Sequence, residues 1–414
     1  MERVITRNFD VADIARLKVA RQHGAYLGLA KARRMKPGDA IQEIAASGLR
    51  GRDGAGFSVG KKLSLVPEGV DAVIIANVDE SDPGTFKDRA ILERDPHLVL
   101  EGLLIAAHAI GARTAYAYFR AEYAQPLLLL SHAVEEARAA GLVGAGGAVD
   151  DVIAYRGGGA YICGEESALI NSISGTCGKP SIKPPSPVEQ GLAGHPTVVS
   201  NVETLAALPF IMREGAKAYR ALGTEASSGT KFVSVSGCVR RPGVYEVEMG
   251  MPVAAFLKDE AGGFEEGKVF KAFIPGGIST AVLTASEALS CTIDFESFSD
   301  VGSALGSGGM VVIDEGVSMV AALADIARFF ANESCGLCTP CREGSGWIAK
   351  TLARIERGGG RFSDLNLVCD LAEAMGDNAL CALAGSMAMP VLSFIAKYRR
   401  EFEEAIRLGG VGAR

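Results

Sequence analysis

The stretch "ESCGLCTPCREG", residues 333–344, sets Cys335, Cys338 and Cys341 within seven positions. The C-x2-C-x2-C spacing lets one cofactor take all three thiolates. Structural zinc sites more often use separated C-x2-C pairs, whereas this run is characteristic of iron–sulfur proteins. A closed centre needs a fourth ligand, and helix geometry selects one. The helical pattern over 343–357 leaves the site by roughly 20 Å, "RGGGRFS" reverses the chain, and the pattern over 364–376 returns by about the same distance. Cys381 ends that return after a "GDN" turn, while Cys369 lies mid-return, on the order of 10 Å short, and reads as a core thiol. Cys335, Cys338, Cys341 and Cys381 are therefore expected to hold one 4Fe–4S cluster. Cys238 and Cys291 read as buried apolar filler.

Three other stretches have binding chemistry. "GLRGRDGAGFSVGKK" (48–62) carries Gly51, Gly54, Gly56 and Gly60, which let backbone N–H groups approach a phosphate or ring, with Lys61 or Lys62 adding charge. It is neither a P-loop nor a dinucleotide fingerprint after a strand. "RGGGAYICGEESALINSISG" (156–175) runs strand, glycine loop, helix, a geometry suited to an anion at a helix N-terminus. "NVDESDPGTFKDR" (77–89) places Asn77, Asp79, Glu80 and Ser81 directly after a buried strand, where ligands bind in open α/β sheets. The five histidines show no metal spacing and no triad companions.

Residues 1–40 read as an N-terminal arm and helix. From 41 to about 227 helical and strand patterns alternate, as in a parallel sheet covered on both faces. After the linker "GTEASSGT", "KFVSVSG", "RRPG" and "VYEVEMG" form a hairpin signature, so 228–295 reads as a small α+β module. Residues 296–318 read as a connector, and 319–414 as a helical bundle. Apolar residues make up 48% of the 414 and charged residues 22%, an ordinary globular balance. A formal charge of −7 without a basic run argues against a nucleic-acid surface. No signal peptide or membrane span is visible, and nine cysteines read as reduced thiols or metal ligands, so the expected compartment is the cytoplasm, with any membrane link made through partners.

Together "ESCGLCTPCREG", "GAYICGEESALI", "NVDESDPGT" and "SNVETL" resemble the flavin-bearing, NADH-oxidising subunits of respiratory complex I (the NuoF type). The same family includes diaphorase subunits of soluble hydrogenases and formate dehydrogenases. The resemblance runs from about residue 40 to the C-terminus. It implies an FMN-binding α/β domain, a ubiquitin-like β-grasp module and a helical bundle carrying the cluster. FMN is then expected among Gly51, Arg52, Gly54 and Lys62; Asn77, Asp79, Glu80 and Ser81; Tyr161, Gly164, Glu165 and Glu166; and Asn201 and Thr204. Phe57 and Lys183 match positions that contact the dinucleotide. The implied reaction is hydride transfer from NADH to FMN, then single electrons to the cluster, with Glu80 and Glu166 orienting or screening the rings. The implied partners are a thioredoxin-like 2Fe–2S subunit and a larger iron–sulfur subunit, most naturally of an NADH-quinone oxidoreductase.

The chain departs from that family on the donor side. "GKKLSL" replaces G-L-K-W-S-F, putting Leu63 and Leu65 for two aromatics; "PSIKPPSP" puts Ser181 and Ser186 for Arg and Phe; and Ala193 stands for a frequent Trp. Ser200 precedes Asn201 where the family has two asparagines. Loss of adenine-stacking rings at Leu65 and Ser186 weakens dinucleotide binding by roughly ten- to a hundredfold. A second reading follows: a wiring subunit that holds FMN and a cluster but takes electrons from a partner. A third is a zinc-stabilised scaffold.

Overall fold

The computed structural model describes residues 2–412. Its first sheet is wholly parallel, in the order β3-β2-β1-β4, formed by β1 (Ala72–Val78), β2 (Ala112–Phe119), β3 (Asp151–Arg156) and β4 (Thr197–Asn201). The β1 sequence "AVIIANV" is almost wholly buried because helices cover both faces of this sheet. Helix Pro96–Ile110 is apolar nearly all round. Asp95 starts it by accepting the Leu98 N–H, and Gly111, at φ +70°, ends it in the left-handed conformation that glycine adopts without strain. The chain runs β1 to β2 to β3 outward, then crosses back to place β4 on the other side of β1. The direction of winding therefore switches between β1 and β4, where Asn77 and Asn201 lie opposite each other in register.

The arm is not free. Short helices Leu17–Gln22 and Leu27–Ala32 carry Leu17, Leu29 and Ala32 into the core beneath the sheet. The backbone N–H groups of Val4, Ile5 and Thr6 donate to the Glu246 carboxylate in the second sheet.

That second sheet has the order β6-β5-β9-β7-β8, built from β5 (Thr230–Gly237), β6 (Gly243–Glu248), β7 (Phe270–Ile274), β8 (Leu283–Thr284) and β9 (Gly309–Asp314). β5 and β6 form the expected antiparallel hairpin, and β9 pairs parallel to β5 and antiparallel to β7. The central strand β9 thus comes from residues 296–318, the stretch that reads as a connector, and the sheet extends past 295. Cys238 and Cys291 are buried in this module's own core.

Four helices complete the chain: Met319–Glu333, Thr339–Glu356, Phe362–Asp377 and Leu383–Gly412, the last interrupted at Tyr398. The second and third form the out-and-back pair read from the sequence. Their apolar faces share one core with Ile75 and Val199 of the parallel sheet and with Ala272 and Ile274 of β7.

Candidate functional site

A cavity of about 480 Å³ opens at the carboxyl ends of β1 and β4. A crevice at the switch in strand order is where open α/β sheets bind ligands. The α/β unit supplies Arg52, Gly54, Asn77, Asp79, Glu80, Ser81, Gly164 and Asn201 to its walls; the second unit supplies Ser279, Thr280 and Gly306; the bundle supplies Cys381 and Ser386. Three polypeptide layers meet here, and hydrogen bonds tie them. Ser279 Oγ donates to Asp82 Oδ2 at 2.5 Å, Ser234 Oγ donates to the Gly84 carbonyl at 2.9 Å, and the Tyr161 N–H donates to Glu333 Oε2 at 2.8 Å.

Local geometry sets each polar group. Asn77 Nδ2 donates to the Gly164 carbonyl at 3.0 Å, which joins the polar loop to the glycine turn. Asn201 caps helix Val202–Glu214 by accepting the Glu203 and Thr204 N–H groups, while its amide donates to Asp88 at 2.7 Å. Glu165 caps helix Glu166–Ile173 in the same way. The Glu80 carboxylate accepts the Asp88 and Arg89 N–H groups and the Tyr123 hydroxyl, so it holds the polar loop to the next helix. Burial, then the neighbouring Asp88, raises its pKa to about 7.

The remaining expected residues lie alongside. Gly51, Phe57, Lys62 and Thr204 line a small adjoining pocket of about 30 Å³, which shares Asp53 and Asn201 with the main cavity. Tyr161 and Glu165 line the main cavity. Glu166 and Lys183 belong to a charged rim: Lys183 Nζ lies 3.1 Å from Glu165 and 2.9 Å from Glu166, and Lys62 Nζ lies 3.4 Å from Glu166. Phe57 and Leu65 are both about half exposed, and Ser186 donates to Glu189.

Among the described residues, four buried atoms in the cavity lining have no protein partner: Arg52 Nη1, both carboxylate oxygens of Asp79, and Asp82 Oδ1. An unsatisfied buried polar atom costs about 1–3 kcal/mol. Such a set suits a ligand with many donors and acceptors, as a flavin mononucleotide has. The volume falls within the range usual for cofactor sites. Burial raises the pKa of Asp79 and of Asp82 to about 7. In flavin-free protein the folded state therefore holds protons that the unfolded chain releases near pH 4. Stability from these groups is lost as pH rises toward 7. Asp79→Asn removes one such loss. Its melting temperature relative to wild type is expected to rise between pH 5 and pH 8, measured by calorimetry on the flavin-free protein.

Cys335, Cys338, Cys341 and Cys381 gather at the start of the out-and-back helices. Burial raises the Cys381 thiol to about 11, and Cys335, Cys341 and Cys338 push in the same direction. The Leu380 N–H donates to Cys338 Sγ at 3.3 Å. Among the described residues no three His, Cys, Asp or Glu side chains converge closely enough for a single metal ion. Cys369 feels Arg399, Glu373 and Asp370 after burial, not these four thiols.

Asp82, Ser279, Thr280, Gly306 and Ser386 are cavity residues that the motif reading does not single out. Asp82 had a signal, since it stands within "NVDESDPGT". Ser279, Thr280 and Gly306 sit in small-residue runs with no periodicity, and Ser386 is a polar position within the periodic stretch that forms helix Leu383–Gly412.

The fold and the site define a class of protein, one joining a cofactor-binding α/β domain to an iron–sulfur bundle. Three family models match: the Nuo51 FMN-binding domain over residues 44–210, the SLBB domain over 232–276, and the NADH-ubiquinone oxidoreductase-F iron–sulfur binding region over 321–405. The second of the NADH-quinone oxidoreductase F subunits of Rhizobium meliloti (strain 1021) is 44% identical over 97% of both chains. The NADH-quinone oxidoreductase F subunit of Rickettsia bellii is 40% identical over 89% of this chain and 90% of that one. The chain belongs to this family, the F subunits of NADH-quinone oxidoreductases. It also superposes on a chain of NAD+-reducing [NiFe]-hydrogenase in the H2-reduced state, with TM-score 0.85 and 39% identity, over 92% of this chain and 64% of that one. No helix among the described residues is long and apolar enough to cross a membrane.

Proposed function

We propose that this chain is the electron-input subunit of an NADH-quinone oxidoreductase, taking hydride from NADH and passing single electrons to partner iron–sulfur subunits. The observation that carries the reading is Cys381: a ligand position of the iron–sulfur bundle is also a wall of the cavity at the sheet's switch point. FMN, when bound, supplies the conversion of a two-electron donor into single electrons, and the 4Fe–4S cluster supplies their exit.

The chain's own residues then divide the work. Asn77, Asp79, Ser81, Gly164 and Asn201, with Arg52 and Gly54, hold the flavin. Glu80 keeps the polar loop in register through its three hydrogen bonds, while Glu166, poised between Lys62 and Lys183, orients the dinucleotide at the rim. Gly51, Phe57, Tyr161, Glu165, Lys183 and Thr204 complete the binding surface. Cys335, Cys338, Cys341 and Cys381 ligate the cluster. The second unit is a β-grasp: a hairpin, a helical crossover and a last strand between β5 and β7 support this, and its bounds are best drawn at 228–314. The partners are a thioredoxin-like 2Fe–2S subunit and a larger iron–sulfur subunit, and the site of action is the cytoplasmic arm of a membrane complex.

A wiring role without a dinucleotide site competes on one observation: neither Leu65 nor Ser186 offers a ring to the adenine. Anaerobic addition of micromolar NADH to the flavin-loaded chain separates the two. Bleaching of the flavin absorbance is expected; an unbleached flavin that dithionite still reduces would overturn NADH oxidation in favour of wiring.

A further inference from the structure

Ser334 stands in the chain between Glu333, which bonds the cavity-wall residue Tyr161, and the cysteine run that begins at Cys335. It is the first residue past helix Met319–Glu333, and the two neighbours Glu333 and Ser334 face different tasks. Glu333 accepts the Tyr161 N–H at the cavity wall, and Ser334 Oγ lies 3.4 Å from Cys341 Sγ. Tyr161 also packs edge-on against Phe329 and Phe330 of the same helix, with ring centroids 5.4 and 5.7 Å away. The end of this helix is thus fixed from the cavity side.

The hydroxyl's direction follows from its partners. The Gly336 N–H donates to Ser334 Oγ at 3.4 Å, which occupies an acceptor site on the oxygen. A cysteine holding a cluster is a thiolate with no proton to give. The remaining O–H of Ser334 therefore points at Cys341 Sγ. A hydrogen bond to a cluster sulfur stabilises the more negative, reduced state and raises the reduction potential. Leu380 N–H does the same at Cys338, but from the backbone.

We propose that Ser334 is a positioning residue that raises the reduction potential of the cluster through its hydrogen bond to Cys341, making the cluster a better acceptor for electrons leaving the cavity. The inference rests on the four-cysteine cluster assignment. It goes beyond that assignment by naming which side chain sets the potential.

The test uses the full-length chain with flavin and cluster loaded, poised at set potentials and read by EPR of the reduced cluster. At a fixed potential, Ser334→Ala is expected to shift the reduced-to-oxidised ratio about tenfold toward oxidised, equivalent to about 59 mV for one electron. Ser334→Thr, which keeps the hydroxyl, is expected to restore the wild-type ratio. An unchanged ratio in S334A at full iron and sulfide content overturns the proposal, as does a threonine shift equal to the alanine one. A second reading compares the same two proteins. After exchange into D2O, pulsed ENDOR of the reduced cluster is expected to lose one close exchangeable deuteron in Ser334→Ala relative to wild type, while those of the Leu380 N–H at Cys338 and the Leu383 N–H at Cys381 remain; an unchanged set overturns the hydrogen bond. Absence of iron and sulfide from wild-type protein is a separate failure, which removes the cluster assignment and the proposal together.

Discussion

Lys231→Met is expected to destabilise the protein by about 3–5 kcal/mol, the range for removing one partner of a buried ion pair. Lys231 is fully buried on β5, and its ammonium donates to Glu203 Oε2 at 2.5 Å, to the Phe232 carbonyl at 2.9 Å and to the Ser307 carbonyl at 3.0 Å. Glu203 belongs to the α/β unit and also pairs with Lys87 at 2.7 Å; Lys87 in turn holds Asp88, which takes the Asn201 amide. Methionine fills the volume but leaves the Ser307 carbonyl without this donor and Glu203 with one cation instead of two. The loss reaches the cavity as well, because Ser307 and Gly306 are part of its wall. Flavin retention through gel filtration should fall together with the denaturation midpoint. The exposed pair Arg113–Asp150 is the control: Arg113→Ala should cost no more than about 1 kcal/mol. If the two variants prove equally mild, the network is not what joins the two units.

This network shows what the sequence hides. From Phe232 on, "KFVSVSG" alternates, with Ser234 and Ser236 on one face; Lys231, out of step with them, shares the other face with Val233 and Val235, where the pattern predicts an apolar residue. Its ammonium is nevertheless buried against Glu203 of the α/β unit, and nothing within β5 reports a partner 28 residues upstream. The same distance effect conceals β9: "GGMVVID" is a short apolar run, and only its pairing with β5 and β7, both remote in the chain, makes it the middle of a sheet. Loops at strand ends were far more legible. Asn77 stands near the end of the buried apolar run that forms β1, so its place at the carboxyl edge comes from period and polarity; Asn201, the last residue of β4, is reached only through the resemblance carried by "SNVETL". Glu80 was legible as a cavity residue by the same rule. Its role as a helix cap was not, since it depends on Tyr123 and on the backbone of Asp88 and Arg89 arriving from another direction. Asp82 was overlooked within a quoted motif because its partner, Ser279, lies in a different unit.

Cys381→Ala is expected to abolish the cluster, whereas Cys369→Ala leaves it in place. The two thiols stand on the same return path, so residue type alone does not separate them. Helix rise does: Phe362–Asp377 carries Cys369 about halfway along its length, roughly 10 Å from the end that Cys381 follows. The electrostatic neighbours agree, since Cys381 is perturbed by Cys335, Cys341 and Cys338, and Cys369 by Arg399 and two acidic residues. Replacing even an outer partner of a metal ligand costs about 10–100-fold in metal affinity. Losing a ligand itself should exceed that, so iron and sulfide in C381A should fall from about four per chain to background. C369A should retain both at wild-type levels. Electron transfer from NADH to an added iron–sulfur partner should collapse in C381A alone, because Cys381 is where the cavity wall and the cluster coincide. A C369A protein that loses its iron while C381A keeps it would reassign the fourth ligand, and with it the route by which electrons leave the cavity.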